Sequence, residues 1–161
     1  MEKRLIAARD EMFNVELHIT NFIKRAPLAI KSSKKFLKAN PNSLNKDLVE
    51  NAMPKIAKIH KLAKKALKDL DKLEDASTDE AAVADYYDGK EFRDRNKKLL
   101  ASPSAFEKDA SKVLAYVMNI AKGMPGSFPM KNTVPDVKVT IDSLQEFITH
   151  WNSLKIAINR I

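Results

Sequence analysis

"LIAARDEMFNVELHITNFIKRA", residues 5–26, decides the fold class. Leu5, Ala8, Met12, Val15, Ile19, Phe22 and Ala26 step by three and four along it without a miss, which places them on one seam of a coiled-coil or bundle helix. Ile6, Phe13 and Ile23 form a second stripe beside the seam, and a face that wide predicts packing by two or more neighbours. Pro27 has no N–H and its ring clashes with the preceding turn, so the helix is predicted to break or kink there. A short basic helical segment, Leu28 to Lys38, should follow and end before Pro41.

The same period recurs outward from this stretch. Val49, Ala52, Ile56, Ile59, Ala63, Ala66, Leu70 and Leu73 make a second seam, with Ser43 as its predicted N-cap and a kink near Ala52 or a fresh start at Pro54. Ser77 and Glu80 match a capping box, which predicts that the chain reverses near Ala76 and that a third helix begins. That helix is poor in apolar residues, with Val83, Tyr86, Tyr87 and Phe92 set among charges. Phe106, Ala110, Val113, Val117 and Ile120 form a further seam, started by Ser102 or Ser104 and ended by Gly123. Residues 123–140 hold three prolines and two glycines and read as a long connection. A last helix, predicted to be capped near Thr140, carries Leu144, Phe147, Trp151, Leu154, Ile158 and Ile161. The expected architecture is all-α: one domain, 1–161, built as an antiparallel helical bundle of about four to five helices with coiled-coil-like seams and one Pro/Gly-containing loop at 123–140.

Composition narrows the function classes. A chain of 161 residues can keep a core without staples, and the absence of cysteine excludes disulfides, thiolate metal sites and cysteine nucleophiles. Three glycines are too few for a phosphate-cradling loop. The longest nearly apolar run, Val113–Ala121, is far shorter than a membrane span, and Glu2, Asp10 and Glu11 interrupt the start where a secretory signal needs an apolar core. The expected location is the cytoplasm.

The net charge of +8 is regional: residues 25–72 hold thirteen basic and four acidic side chains, and residues 73–96 hold three basic and eight acidic. Between Lys55 and Leu73 stand seven lysines and two aspartates. If Ile56 and Ile59 face the core, Lys58, Lys61, Lys65, Lys68 and Lys72 face outward, with Lys64 beside them. Lysines three or four apart repel by a few tenths of a kcal/mol each, about 1–3 kcal/mol over the whole face. Two sources of neutralisation are legible. The acidic residues Asp85, Asp88 and Glu91 would lie near Lys68, Lys65 and Lys61 if the chain reversed near Ala76. Alternatively the lysines, together with Lys31, Lys34, Lys35 and Lys38, would bind a polyanion such as a nucleic-acid backbone or an acidic protein, or they form no more than a solvated face. The helix has no aromatic platform for bases and no Trp or Phe for a membrane interface, so membrane-surface binding is not expected.

Catalytic and metal sites are harder to assemble from this sequence. Glu146 and His150 lie four apart near Asp142, but no second Glu/His set accompanies them, and His18 and His60 stand alone, so no metal or cofactor is expected. No serine sits at a strand-to-helix turn with an oxyanion-hole glycine pattern, and no catalytic residue is assigned. Tyr86-Tyr87-x-Gly89-Lys90 resembles the Tyr-Tyr-x-Gly turn of phage recombination-mediator proteins, which are small, helical and bind single-stranded DNA. The resemblance spans about five residues, carries over no functional residue, and leaves the loop at 123–140 without a counterpart. The functional expectation is a non-enzymatic structural, assembly or adaptor subunit that contacts another protein or itself. The alternative is a nucleic-acid-binding protein gripping phosphates through 55–72.

Overall fold

The computed structural model describes residues 2–82, 104–123 and 134–160. These form four helices and no strand among the described residues: α1, Glu2–Ala39; α2, Lys46–Ala82; α3, Ser104–Gly123; and α4, Pro135–Asn159. Each of the described helices packs against two others in the cyclic order α1, α2, α3, α4, with α1–α4 the most extensive pair, so the described residues form a four-helix bundle. The expected all-α bundle is what the chain builds.

The seams form the core. Ala8, Met12, Val15, Ile19, Phe22 and Ala26 of α1 are buried, as are Val49, Ala52, Ile56, Ile59, Ala63, Ala66 and Leu70 of α2, Phe106, Ala110 and Val113 of α3, and Leu144, Phe147, Trp151, Leu154 and Ile158 of α4. Phe147 joins α3 to α4: its ring meets Phe106 edge-on at 4.8 Å between centroids and lies 6.2 Å from Trp151. The second stripe of α1 does not find the neighbours its width predicted, because Ile6 and Phe13 are 37% and 45% exposed and only Ile23 packs partly against the core.

Both internal prolines are carried without a break. Pro27 lies inside α1, and the seam continues past it through Ala29, Ser33 and Phe36. The carbonyl left without an intrahelical partner by the missing N–H is that of Ile23, four residues earlier. His60 of α2 replaces the lost donor, its Nε2–H reaching the Ile23 oxygen at 3.1 Å. Pro54 likewise lies inside α2; there the freed carbonyl belongs to Glu50, on an exposed face where water can serve it.

Other predicted boundaries move. α2 begins at Lys46, not directly after Ser43: Ser43 Oγ accepts from Asn45 N at 3.2 Å, and Asn45, whose carbonyl accepts the Val49 N–H at 3.0 Å, occupies the cap position. The Ser77–Glu80 pattern does not start a helix, because α2 runs unbroken to Ala82 and the chain does not reverse near Ala76. A capping signature is local, and a helix already propagating from a packed seam overrides it. Residues 135–140, predicted as loop, are the opening turns of α4, with Pro135 in the first turn where its fixed φ suits the helix. Thr140 is a buried seam-side residue that donates its hydroxyl to Asp136 O at 2.6 Å. The predicted tyrosine-containing segment, with Asp85, Asp88 and Glu91, lies outside the described residues.

α1 and α4 run antiparallel with polar contacts seven residues apart. Ser32 donates to Asp136, Arg25 Nη1 donates to Ser143 Oγ at 3.1 Å, and His18 stacks on His150. One helix descends 32, 25, 18 as the other climbs 136, 143, 150, which is the step of a heptad seam.

Candidate functional site

Two groups of side chains lie outside the core packing: the lysines of α1 and α2, and a histidine–carboxylate cluster between α1 and α4.

The nine lysines singled out from the sequence are all exposed. Lys58 is satisfied internally, its Nζ 3.3 Å from Asp109 Oδ2 of α3. At 69% side-chain exposure on the lysine that pair contributes about 0–1 kcal/mol. Lys61, Lys64, Lys65 and Lys68 pair with no carboxylate among the described residues, and they occupy two turns of one helix, roughly 10 Å of its length. Lys31, Lys34, Lys35 and Lys38, also without carboxylate partners among the described residues, crowd the last turns of α1 beside the start of α2. The two groups therefore occupy different levels of the α1–α2 hairpin.

The outer stripe of α1 opposite its seam has a split character. Ile6, Phe13 and Leu17 occupy its first half, with Leu17 56% exposed; Lys24, Leu28, Lys31 and Lys35 occupy the second, with Leu28 53% exposed. Comparison with known family models, with curated proteins and with solved structures finds no match. The site must be read from its own chemistry.

His18, isolated in the sequence, is not isolated in the fold. Its ring lies parallel to that of His150, 7° between planes and 5.1 Å between centroids. His150 Nδ1 is 2.9 Å from Glu11 Oε2, and its Nε2 is 3.9 Å from Glu146 Oε2. Sequence reasoning found the Glu146–His150 pair and missed Glu11 and His18, because only the antiparallel register of α1 against α4 brings 11 and 18 to 150. The faint available signal was the seven-residue spacing of Glu11, His18 and Arg25 along one flank of the α1 seam.

His60 has a structural task, at Ile23. Burial first, and the Lys64 ammonium second, lower the His60 imidazole below the ordinary histidine value of 6.5, against the opposing pull of the Ile23 carbonyl.

No helix among the described residues is long and apolar enough to cross a membrane.

Proposed function

We propose that this chain is a non-enzymatic assembly or adaptor subunit that works through protein–protein contact along the outward stripe of α1. The observation that carries this reading is the exposure of Ile6, Phe13 and Leu17 on the side of α1 opposite its seam, where core formation gives them no role. Several hydroxyls that could serve as nucleophiles are otherwise engaged: Ser33, Ser143, Thr149 and Ser153 each donate to a carbonyl one turn back.

The stripe also describes its partner. A second copy laid parallel would set Lys24, Lys31 and Lys35 against themselves, and an antiparallel copy overlapping along the whole stripe would lay Phe13 and Leu17 on ammonium groups. A different protein presenting apolar residues followed by carboxylates along one helix face is complementary in both halves. Phe13→Lys with Leu17→Lys changes only exposed positions, so its folding stability should stay within about 0.5 kcal/mol of the parent. A photo-crosslinker placed at residue 13 should trap one acidic protein in host extract, identified by mass spectrometry, and the double variant should lose it in a pull-down. Equal trapping from a control crosslinker at Lys112, or undiminished capture by the double variant, overturns the reading.

A second reading rests on a different observation, the four lysines of α2 without carboxylate partners among the described residues. It makes the α2 face a backbone clamp for nucleic acid. Four phosphate contacts give a log–log salt slope near about −3 for single strands. Reversal of Lys61, Lys64, Lys65 and Lys68 to Glu should abolish a salt-titrated gel shift; unchanged affinity after the four reversals removes this reading.

A further inference from the structure

We propose that His18, His150 and Glu146 form a site for a zinc-class divalent cation that bridges α1 and α4, with Glu11 as the positioning carboxylate. The candidate ligand atoms of the three residues all lie within 4.8 Å of one another. Two come from α4, one helical turn apart, and the third from α1, so the site exists only when the two helices are docked. Two imidazole nitrogens and one carboxylate oxygen suit zinc, cobalt, nickel and copper, not calcium or magnesium. Three protein ligands leave a position open for water or a partner's side chain.

The orientation of His150 is the second, independent observation. Its Nδ1 faces Glu11 Oε2 at 2.9 Å, and since a carboxylate can only accept, Nδ1 carries the proton. In the neutral ring Nε2 then holds a bare lone pair, 3.9 Å from Glu146 Oε2. Two acceptors at that distance gain nothing from each other; a cation shared by both, a metal ion or a proton on Nε2, satisfies them, and titration with metal separates the two. The carboxylate–histidine pair is the arrangement by which proteins fix the tautomer of a metal-ligating imidazole. Among the described residues neither Glu11 nor Glu146 is paired with a lysine or arginine, so both carboxylates are left to the cluster.

The geometry leaves a defined adjustment. Ligand atoms about 2.0–2.1 Å from a tetrahedral ion stand roughly 3.4 Å apart, so the widest pair must close by about 1.4 Å. Glu146, whose side chain is 58% exposed, has the freedom to swing inward; the two imidazoles lie 7° from parallel, and since each ligates in its own ring plane, His18 must also turn about its side-chain torsions while Glu11 holds His150.

Trp151 is the only tryptophan and the next residue after His150, which gives the site a built-in reporter. The full-length chain, stripped of metal by chelator dialysis, is titrated at neutral pH with zinc by calorimetry and with copper by quenching of Trp151 fluorescence. One equivalent is expected. His18→Ala and His150→Ala should each weaken binding at least about tenfold, and Glu11→Gln by about 10–100-fold through His150. His60→Ala should leave the affinity unchanged. Zinc at a hundredfold excess over Kd should raise the thermal midpoint by roughly 5–10 °C in the parent and not in His18→Ala. Circular dichroism of the metal-free variants identifies any that fail to fold, and for these His18→Gln and His150→Gln replace the alanine variants. Absence of zinc binding by the parent overturns the site. So does His18→Ala affinity within about threefold of the parent, since the metal would then be held by α4 alone.

Discussion

Replacing Phe147 with alanine should lower the unfolding free energy by about 3–5 kcal/mol, a large part of the roughly 5–15 kcal/mol available to a domain of this size. The residue is fully buried, and its ring is the contact through which Phe106, near the start of α3, meets α4. Two costs combine: loss of the transfer energy of the benzyl group, and a cavity that a helix pair already fixed by its neighbours cannot collapse. Guanidinium denaturation followed by circular dichroism and by Trp151 emission measures it. A loss below about 1.5 kcal/mol would mean that α3 is not seated on α4 as described. The Phe106→Ala, Phe147→Ala double variant adds a sharper check, with an expected coupling of about 0.5–1.5 kcal/mol for the edge-on pair.

Pro27→Ala should stabilise the protein by about 2 kcal/mol. An interior helix proline costs about 3 kcal/mol relative to alanine, less the 0.4–1 kcal/mol or so that it contributes by stiffening the unfolded chain. His60→Ala should do the opposite and cost about 1–3 kcal/mol, because the Ile23 carbonyl then has neither its helical donor nor its imidazole donor. The two substitutions are coupled through one oxygen atom. In the Pro27→Ala background the restored backbone N–H takes the Ile23 carbonyl, and removal of His60 should cost much less. Additive effects in the double-mutant cycle would show that His60 does not serve the proline. The same histidine gives a pH signature. Its folded value is lowered, so as pH falls the unfolded chain takes up this proton first. The contribution is complete above about 6.5, the unfolded value, and is lost as pH drops through the lower folded value. Stability measured across that window should fall toward acid in the parent and fall less in His60→Gln, which keeps an N–H donor but does not titrate. Equal slopes in the two proteins would dismiss the assignment.

The seams were readable because heptad periodicity is a property of each helix by itself; from Met12 to Phe22, and again from Leu144 to Ile158, apolar spacing and burial coincide. What the sequence concealed depends on residues distant in the chain. Pro27 left a break or a kink open, and the helix runs on through it with a compensating donor, His60, that lies on another helix. Ser77 and Glu80 offered a sound local start signal inside a helix whose packed seam had already committed it to continue. His18 met His150 only through a register that no single-helix pattern encodes. The outward lysines were placed correctly by the seam, but Lys58 could not be separated from Lys61, Lys64, Lys65 and Lys68 until Asp109 was located against it. Phe13 was assigned to a packed stripe since breadth of an apolar face says nothing about whether a neighbour covers it.

The pairing of α1 with α4 has a consequence for the order of events on the ribosome. The most extensive helix pair in the bundle joins the two helices farthest apart in the chain. The α1–α2 hairpin can close as soon as it emerges, but the flank of α1 carrying Arg25 and Ser32 must wait for residues 136–143. From the end of α2 at Ala82 to residue 143 is about 60 residues, so at about 5–20 residues per second the α4-facing apolar surface of a finished hairpin is bare for roughly 3–12 s. Chaperone capture during synthesis should therefore fall on α1, and it should end when α4 arrives.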